Sequence, residues 1–139
     1  MLQVTILIAG DLCPTSNNIE LFEKSDIRSL LGDELFALWN NADFRVFNLE
    51  TPITDVKTPI QKHGPNLCAP TRTMNGITAL QPSLIILSNN HILDQGPQGL
   101  DNTISLLRKN NIEFIGAGSN LIEASRPYIL QDKGIRVGF

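Results

Sequence analysis

The chain has 139 residues, of which 42% are hydrophobic and 18% are charged, and its formal net charge is −3 at pH 7. This length allows one domain with a hydrophobic core, and the composition is that of a globular protein rather than a disordered one. The net negative charge and the scattered lysine and arginine residues give no electrostatic basis for binding nucleic acid. We therefore expect a single globular domain with no nucleic-acid partner.

The first residues carry no recognisable targeting signal. The apolar run at residues 2–9 is preceded by no basic segment and is too short to span a bilayer. Taken literally, this predicts a soluble, cytoplasmic chain. The two cysteines, Cys13 and Cys68, are too few for a disulfide framework and are expected to be reduced thiols.

Apolar, β-rich runs alternate with helical patterns along the chain. The first run, residues 4–9, is continuous and predicts a strand that is buried on both faces. Further strands are predicted at residues 44–49, 84–87, 112–115, 127–131 and 135–139. The last two are joined by a turn at Asp132-Lys133-Gly134. A core strand at the very end of the chain suggests a domain that is incomplete at its C-terminus.

Three segments between the strands have helical periodicity. Residues 33–41, 70–80 and 97–110 each carry an apolar stripe, formed by Leu35, Leu38 and Trp39, by Met74, Ile77 and Leu80, and by Leu100, Ile104 and Leu107. Strands that alternate with helices predict βαβ units with right-handed crossovers. The expected fold class is therefore a layered α/β fold in which helices flank a mostly parallel sheet.

Polar residues follow the first three predicted strands directly. Asp11, Glu50, Asn90 and His91 come after strands one, two and three, and the carboxyl ends of parallel strands share one sheet edge. Carboxylate, amide and imidazole ligands suit Mn, Mg, Zn or Fe, and a divalent cation relieves the repulsion between two crowded carboxylates. The pattern favours a metal site that polarises a phosphoryl oxygen or supplies a hydroxide.

Each of these residues also has a structural interpretation when taken alone. A lone aspartate after a strand is most often a turn former or helix cap, and a lone histidine is most often held structurally by hydrogen bonds. On this interpretation Glu50 is a solvated loop residue, Asn89 and Asn90 supply turn conformations, and Asp94 caps the helix that begins near Pro97. Only their common position at one edge favours a functional site.

The motifs resemble those of the CapA family of poly-γ-glutamate capsule biosynthesis proteins. The resemblance is carried, in order, by Gly10-Asp11, Asn48-Leu49-Glu50, Ala69-Pro70, the run Asn89-Asn90-His91-Ile92-Leu93-Asp94-Gln95-Gly96, Gly99-Leu100 with Thr103 and Leu107, Gly116-Ala117-Gly118, Asn120, Glu123-Ala124 and Pro127. It covers nearly the whole chain. It implies that residues 1–139 are the N-terminal part of a domain similar to the calcineurin-like metallophosphoesterases.

The resemblance implies a metal site and a set of roles. It implies two divalent ions, with Asp11, Glu50 and Asn90 as ligands. His91 is implied as the general acid or as a phosphate contact, and Asp94 is implied to orient His91 or to cap the helix.

Two further residues are implied in substrate binding. Lys62 matches a basic position in the second loop of the family, and Asn89 stands beside the implied ligand Asn90. Cys13 stands where metallophosphoesterases carry a histidine, and it is interpreted either as a thiolate ligand or as a small pocket-filling side chain. His63 has no counterpart in the pattern and is expected to be a solvated loop residue.

Three hypotheses for function remain open. The first is a metal-dependent hydrolase or transferase that acts on a phosphate ester or a γ-glutamyl substrate in capsule formation. The second is a non-catalytic subunit that uses the same scaffold to bind the polymer or another capsule-synthesis protein. The third is that the chain does not function alone and associates into a homo-oligomer through open strand edges. Separately, the resemblance implies an association with the cell envelope.

Overall fold

The computed structural model describes residues 3–139, so that Leu2, the first residue of the apolar run 2–9, lies outside it. The elements follow in the order β1 (Ile6–Leu12), α1 (Ile19–Glu23), α2 (Ile27–Leu31), α3 (Asp33–Asn41), β2 (Phe44–Leu49), a 3-10 turn (Thr71–Thr73), α4 (Met74–Ala79), β3 (Leu84–Ile86), α5 (Gly96–Lys109), β4 (Phe114–Ile115), α6 (Leu121–Ala124), β5 (Ile129–Asp132) and β6 (Ile135–Gly138).

Four strands form one parallel sheet in the order β1-β2-β3-β4. Each strand pairs with the next one along the chain, and helices connect them, as the alternating pattern predicts. Because all four strands point the same way, their carboxyl ends lie along one edge. The expected layered α/β fold with a parallel sheet is confirmed.

The main core lies between one face of the sheet and the helices. Phe47 and Leu49 of β2, together with Ile85 and Leu87 at β3, belong to one buried cluster. Alternation along a strand sends these odd-numbered residues to the same face. The cluster is completed from the helical layer by Phe22, Ile27, Trp39, Met74, Ile77, Ile104 and Leu107.

The apolar stripe predicted for α3 is wrong in part. Trp39 is buried and donates from Nε1 to the carbonyl oxygen of Leu80 at 2.8 Å, but Leu38 is 61% exposed and Leu35 is also exposed. Phe36 packs against the core instead. The Trp39 bond to the end of α4 fixes the rotation of α3, so that positions 36 and 39 face inward.

Strand β1 is not buried on both faces. It is the edge strand of the four-stranded sheet, and Ile8 is 63% exposed. The register with β2 also shifts, because Ile8 is opposite Val46 whereas Asp11 is opposite Asn48. One extra residue in β1 is thus accommodated by a β-bulge. The bulge turns Asp11 to the same face as Asn48.

The last two strands form an antiparallel hairpin, as expected. Its turn has positive φ at both central residues, 49° at Lys133 and 80° at Gly134, which is the backbone geometry of a type I′ turn. The ammonium group of Lys133 lies 3.3 Å from Oδ1 of Asp43, immediately before β2. Phe139, at the open end, lines a cleft with Ser88 beyond β3. The hairpin thus extends from the amino end of β2 to the carboxyl end of β3.

A long loop connects β2 to the 3-10 turn. Ile53 forms an isolated bridge with Ala69, so that the two ends of the loop lie close together. Between these ends, residues 55–67 extend over the start of α5, and we call this segment the site loop. Its contacts with the carboxyl edge of the sheet build the candidate site.

Candidate active site

A chain of hydrogen bonds connects the carboxyl ends of the first three strands. Asn48 on β2 donates from Nδ2 to Oδ1 of Asp11 on β1 at 2.6 Å. Its Oδ1 atom accepts from Nδ2 of Asn89 at 3.1 Å, and Asn89 follows β3. Asn89 also donates to the carbonyl oxygen of Leu49 at 2.9 Å. The amides of Asn48 and Asn89 therefore fix Asp11 relative to the loop after β3.

Asn89 also shapes the loop that carries His91. Its Oδ1 atom accepts hydrogen bonds from the backbone N–H groups of His91 at 2.9 Å and Ile92 at 2.8 Å. A side chain that bonds the backbone two and three residues further on forms a local turn. The structure thus gives Asn89 a turn-forming role, which is the structural interpretation that its sequence context also allowed.

The imidazole of His91 lies against Asp94. Nδ1 of His91 is 2.7 Å from Oδ2 of Asp94, whose side chain is 0% exposed. Nδ1 lies 3.2 Å from Nζ of Lys62, and Nζ also bonds Oδ1 of Asp94. The two contacts favour opposite tautomers, because an ammonium group can only donate to a lone pair on Nδ1, whereas a carboxylate can only accept from an Nδ1–H. We assign the proton to Nδ1 on the shorter contact, the one with Asp94, which leaves Nε2 as the free nitrogen.

Asp94 is held in its charged form. Burial raises the pKa of Asp94, but hydrogen bonds from Lys62, His91 and the N–H of Leu67 outweigh burial and bring the pKa below its ordinary value. The Leu67 N–H donates to Oδ2 at 2.6 Å. Asp94 therefore orients His91, and the alternative that it caps α5 is wrong, because the residue at the cap position is Gln95 and forms no side-chain cap bond.

Glu50 faces the free nitrogen of His91. Its Oε1 atom lies 3.8 Å from Nε2, which is beyond hydrogen-bonding distance, and both side chains are partly exposed. Asn90, next to His91, is exposed. Glu50, Asn90 and Nε2 of His91 are thus accessible from the solvent side, whereas Asp94 and Lys62 lie behind the imidazole.

The side-chain oxygens at this edge are of the chemical type that suits a hard divalent cation. Within residues 3–139, no group of three or more His, Cys, Asp or Glu side chains is placed to hold a metal ion. Asp11 is engaged by Asn48 through one oxygen, and the carboxylate and amide oxygens of Asp11, Glu50 and Asn90 are of the kind that hard divalent cations prefer. The metal site at this edge therefore stays a prediction.

Cys13 and His63 lie outside this network. Sγ of Cys13 is 2.9 Å from Oγ1 of Thr51, and the thiol is half-buried at the end of β1. This contact agrees with a small side chain that fills a pocket. His63 is exposed at the tip of the site loop, as expected.

Two residues of the site carried no individual prediction. Asn48 stood within the motif Asn48-Leu49-Glu50, but its bridging amide depends on the bulge in β1, which has no sequence signature here. Gln95 stood next to Asp94 in a motif and is almost fully buried, at 3% exposure. A glutamine between two loops gives no periodic pattern, so that only the fold reveals its contacts.

Among residues 3–139, no helix is long and apolar enough to cross a bilayer.

Comparison with known proteins gives a consistent family. The model of the bacterial capsule synthesis protein family PGA_cap matches residues 5–139. A probable polyglutamine synthesis accessory protein of Mycobacterium tuberculosis, found in two strains, is 38% identical over 102 residues, which are 68% of this chain and 25% of the relative. The capsule biosynthesis protein CapA of Bacillus anthracis is 28% identical over 100 residues, 70% of this chain and 24% of that protein.

The chain thus spans about a quarter of the length of these curated relatives. The matched region includes the strand ends, the site loop and the His91–Asp94 pair described above. The order of motifs, the parallel sheet and the family match agree with one another, and the chain belongs to the bacterial capsule synthesis protein family PGA_cap.

Proposed function

We propose that this chain is the N-terminal part of a metallophosphoesterase-like domain that serves in the synthesis of a poly-γ-glutamate capsule. Its family and the names of its relatives support a role in capsule or polyglutamate synthesis. We further propose that the reaction is hydrolysis or transfer at a phosphate ester or γ-glutamyl bond. Other capsule-synthesis proteins at the cell envelope are the proposed partners.

The observation that carries an enzymatic role is the orientation of His91. Asp94 accepts the Nδ1 proton at 2.7 Å and is itself held by Lys62, so that Nε2 points away from both. A histidine whose tautomer is fixed by a buried carboxylate is arranged for proton transfer at its other nitrogen. Nε2 takes a proton from an attacking hydroxyl group, or gives a proton to the leaving group when the imidazole is protonated.

A divalent metal belongs to the proposal as a cofactor. Asp11, Glu50 and Asn90 are the proposed ligands from this chain, and the proposed number of ions is two, of Mn, Zn, Fe or Mg. When bound, the metal supplies positive charge that polarises the phosphoryl or carbonyl oxygen under attack. Asn89 positions the loop that carries both Asn90 and His91.

Turnover by histidine variants tests the enzymatic role. The purified chain is assayed with p-nitrophenyl phosphate and γ-glutamyl-p-nitroanilide in the presence of Mn²⁺. His91→Gln should reduce turnover by about 10²-fold or more, the usual contribution of a general acid or base. His63→Gln is the matched control, because His63 is the other histidine of the chain and is exposed. Equal turnover in the two variants would remove His91 from the mechanism.

A second candidate function is a non-catalytic accessory subunit. The description of the mycobacterial relatives as accessory proteins favours it. On this alternative the tip of the site loop, with the exposed residues Gln61 and His63, contacts a polymer or another synthesis protein. Within the site loop, Lys62 and the N–H of Leu67 are engaged by Asp94 and are not free to engage a partner.

Substitutions at the tip test this alternative without disturbing the site. Gln61→Glu and His63→Glu, made together, should weaken co-purification with the synthesis machinery and leave turnover at the wild-type rate. Retained co-purification in the double variant would exclude the tip as the contact surface.

A further inference from the structure

Gln95 connects the two limbs of the site loop through its side-chain amide. Oε1 accepts a hydrogen bond from the N–H of Thr58 at 2.9 Å, and Nε2 donates to the carbonyl oxygen of Leu67 at 3.0 Å. The backbone carbonyl of Gln95 also accepts from Oγ1 of Thr58 at 2.6 Å. One buried residue thus holds the outgoing and the returning limb of the loop together.

Asp94, the preceding residue, binds the same loop at different atoms. Its carbonyl oxygen accepts from the N–H of Ile60 at 3.0 Å, and its carboxylate accepts from the N–H of Leu67 and from Lys62. Asp94 therefore joins the loop to His91, and Gln95 holds the loop in the shape that brings Lys62 and Leu67 to Asp94.

A neutral amide is the group that these two limbs require. One limb offers a donor and the other an acceptor, and a buried group that lost either partner would leave a polar atom unsatisfied. Gly99 on α5 makes room for this side chain, because a Cβ atom at position 99 would lie 2.5 Å from Cβ of Gln95. The site loop, Gln95 and Gly99 therefore form one packed unit.

We propose that Gln95 is a positioning residue for the active site, which fixes the ring of His91 by holding Lys62 and Leu67 against Asp94. Only the link between the His91 ring and turnover rests on the proposed function; the effect of Gln95 on the ring position does not depend on it. The side-chain hydrogen bonds of Gln95 go to Thr58 and Leu67 of the site loop, so that its effect on His91 passes through the loop and Asp94.

Hydrogen exchange and imidazole NMR of the whole chain test this proposal without any assay of turnover. In Gln95→Met, which removes both bonds, the Leu67 amide should exchange about tenfold faster, although its own acceptor is Asp94. The Nδ1–H signal of His91 should broaden, because its acceptor Asp94 is less firmly held. Gln98→Met is the matched control on the same helix, where Gln98 is exposed and bonds only Asn102. It should leave both signals unchanged.

Gln95→Glu tests the hydrogen bonds to the two limbs separately. The glutamate is isosteric and still accepts from Thr58, but it lacks the donor for Leu67. The Thr58 amide should therefore stay protected while the Leu67 amide and the His91 ring respond. Wild-type exchange of the Leu67 amide together with an unchanged His91 signal in this variant would overturn the proposal. Unfolding of both Gln95 variants would also overturn it, because Gln95 would then be a residue of the folding core only. If the His91 signal responds to these substitutions but the chain shows no turnover, the proposed function is rejected and the positioning role of Gln95 is retained.

Discussion

The ammonium group of Lys62 is bonded to the carboxylate of Asp94, which lies 32 positions further along the chain and is fully buried. Lys62 itself is largely buried, with 19% of its side chain exposed. The sequence predicted Lys62 as a substrate contact, whereas the structure gives its charge an internal partner. The pair joins the site loop to the loop after β3, and its loss should affect both stability and site geometry.

Substitution of Lys62 alone should lower the free energy of unfolding. Lys62→Met leaves the charge of Asp94 buried with fewer partners, and breaking a buried ion pair from one side typically costs about 3 kcal/mol or more. Asp94→Asn combined with Lys62→Met removes the charge as well, so that the double variant should be more stable than the sum of the single effects predicts. Urea unfolding of the four proteins measures this coupling.

Lys57→Met is the control for the loss of a lysine from the same loop. Lys57 is exposed, and its substitution should change the free energy of unfolding by no more than about 0.5 kcal/mol. A loss in Lys62→Met as small as that of the control would mean that the pair adds nothing to stability.

Stability should depend on pH through Asp94. The pKa of Asp94 in the folded chain lies below its ordinary value of 3.8, so that the folded state favours the ionised form. The resulting stabilisation is fully present above about pH 4 and is lost as the pH falls through the lowered pKa of the folded state. The difference in unfolding free energy between the wild type and Asp94→Asn should therefore shrink below pH 4.

The wild type alone would not isolate this effect. Asp26, Asp43, Asp55 and Glu123 also have lowered pKa values, because each accepts hydrogen bonds from nearby backbone and side-chain groups. These carboxylates contribute equally to the wild type and to Asp94→Asn, and they cancel in the difference. Parallel pH profiles for the two proteins would show that Asp94 gains nothing from its partners.

The arrangement of strand ends could be predicted from the sequence for a simple reason. Parallel strands place their carboxyl ends on one edge whatever the details of packing. The polar residues after β1, β2 and β3 could thus be assigned to one region, and the structure connects Asp11, Asn48 and Asn89 there by hydrogen bonds. The bounds of β2 and α3, residues 44–49 and 33–41, were also predicted from periodicity and agree with the structure.

Other features depend on contacts that leave no periodic pattern. The bulge in β1 moves Asp11 to the face of Asn48. In a continuous apolar run, a strand with one inserted residue has the same sequence pattern as a strand without it. The inward face of α3 is set by the bond from Trp39 to Leu80, which is 41 positions away. The short helices α1, α2 and α6 have too few residues to establish a 3.6-residue repeat.

Gly99→Ala should destabilise the chain although it lies within a helix. Alanine is favoured over glycine in a helix interior by about 1 kcal/mol. The new methyl group would nevertheless lie 2.5 Å from Cβ of Gln95, and overpacking of this kind costs about 1–3 kcal/mol. We expect a net loss of stability in urea unfolding, together with faster exchange of the Leu67 amide.

Ser105→Ala tests the contribution of helix propensity by itself. Ser105 is exposed on the same helix, and its substitution should leave stability unchanged or raise it slightly. If Gly99→Ala changes the free energy of unfolding in the same way as Ser105→Ala, the close packing against Gln95 is of no importance for stability.

Metal binding should depend on the carboxylates at the sheet edge. Asn48 holds one oxygen of Asp11 at 2.6 Å and leaves the other for a cation, while Glu50 lies on the exposed side of His91. In calorimetric titration with Mn²⁺, Asp11→Asn and Glu50→Gln should each weaken binding about tenfold or more, because each removes a charged oxygen ligand. Asp101→Asn, at an exposed acid on α5, should bind as the wild type does. Equal binding by all four proteins would place the ion away from this edge, and the proton-transfer role of His91 would then have to stand without a metal held by Asp11 and Glu50.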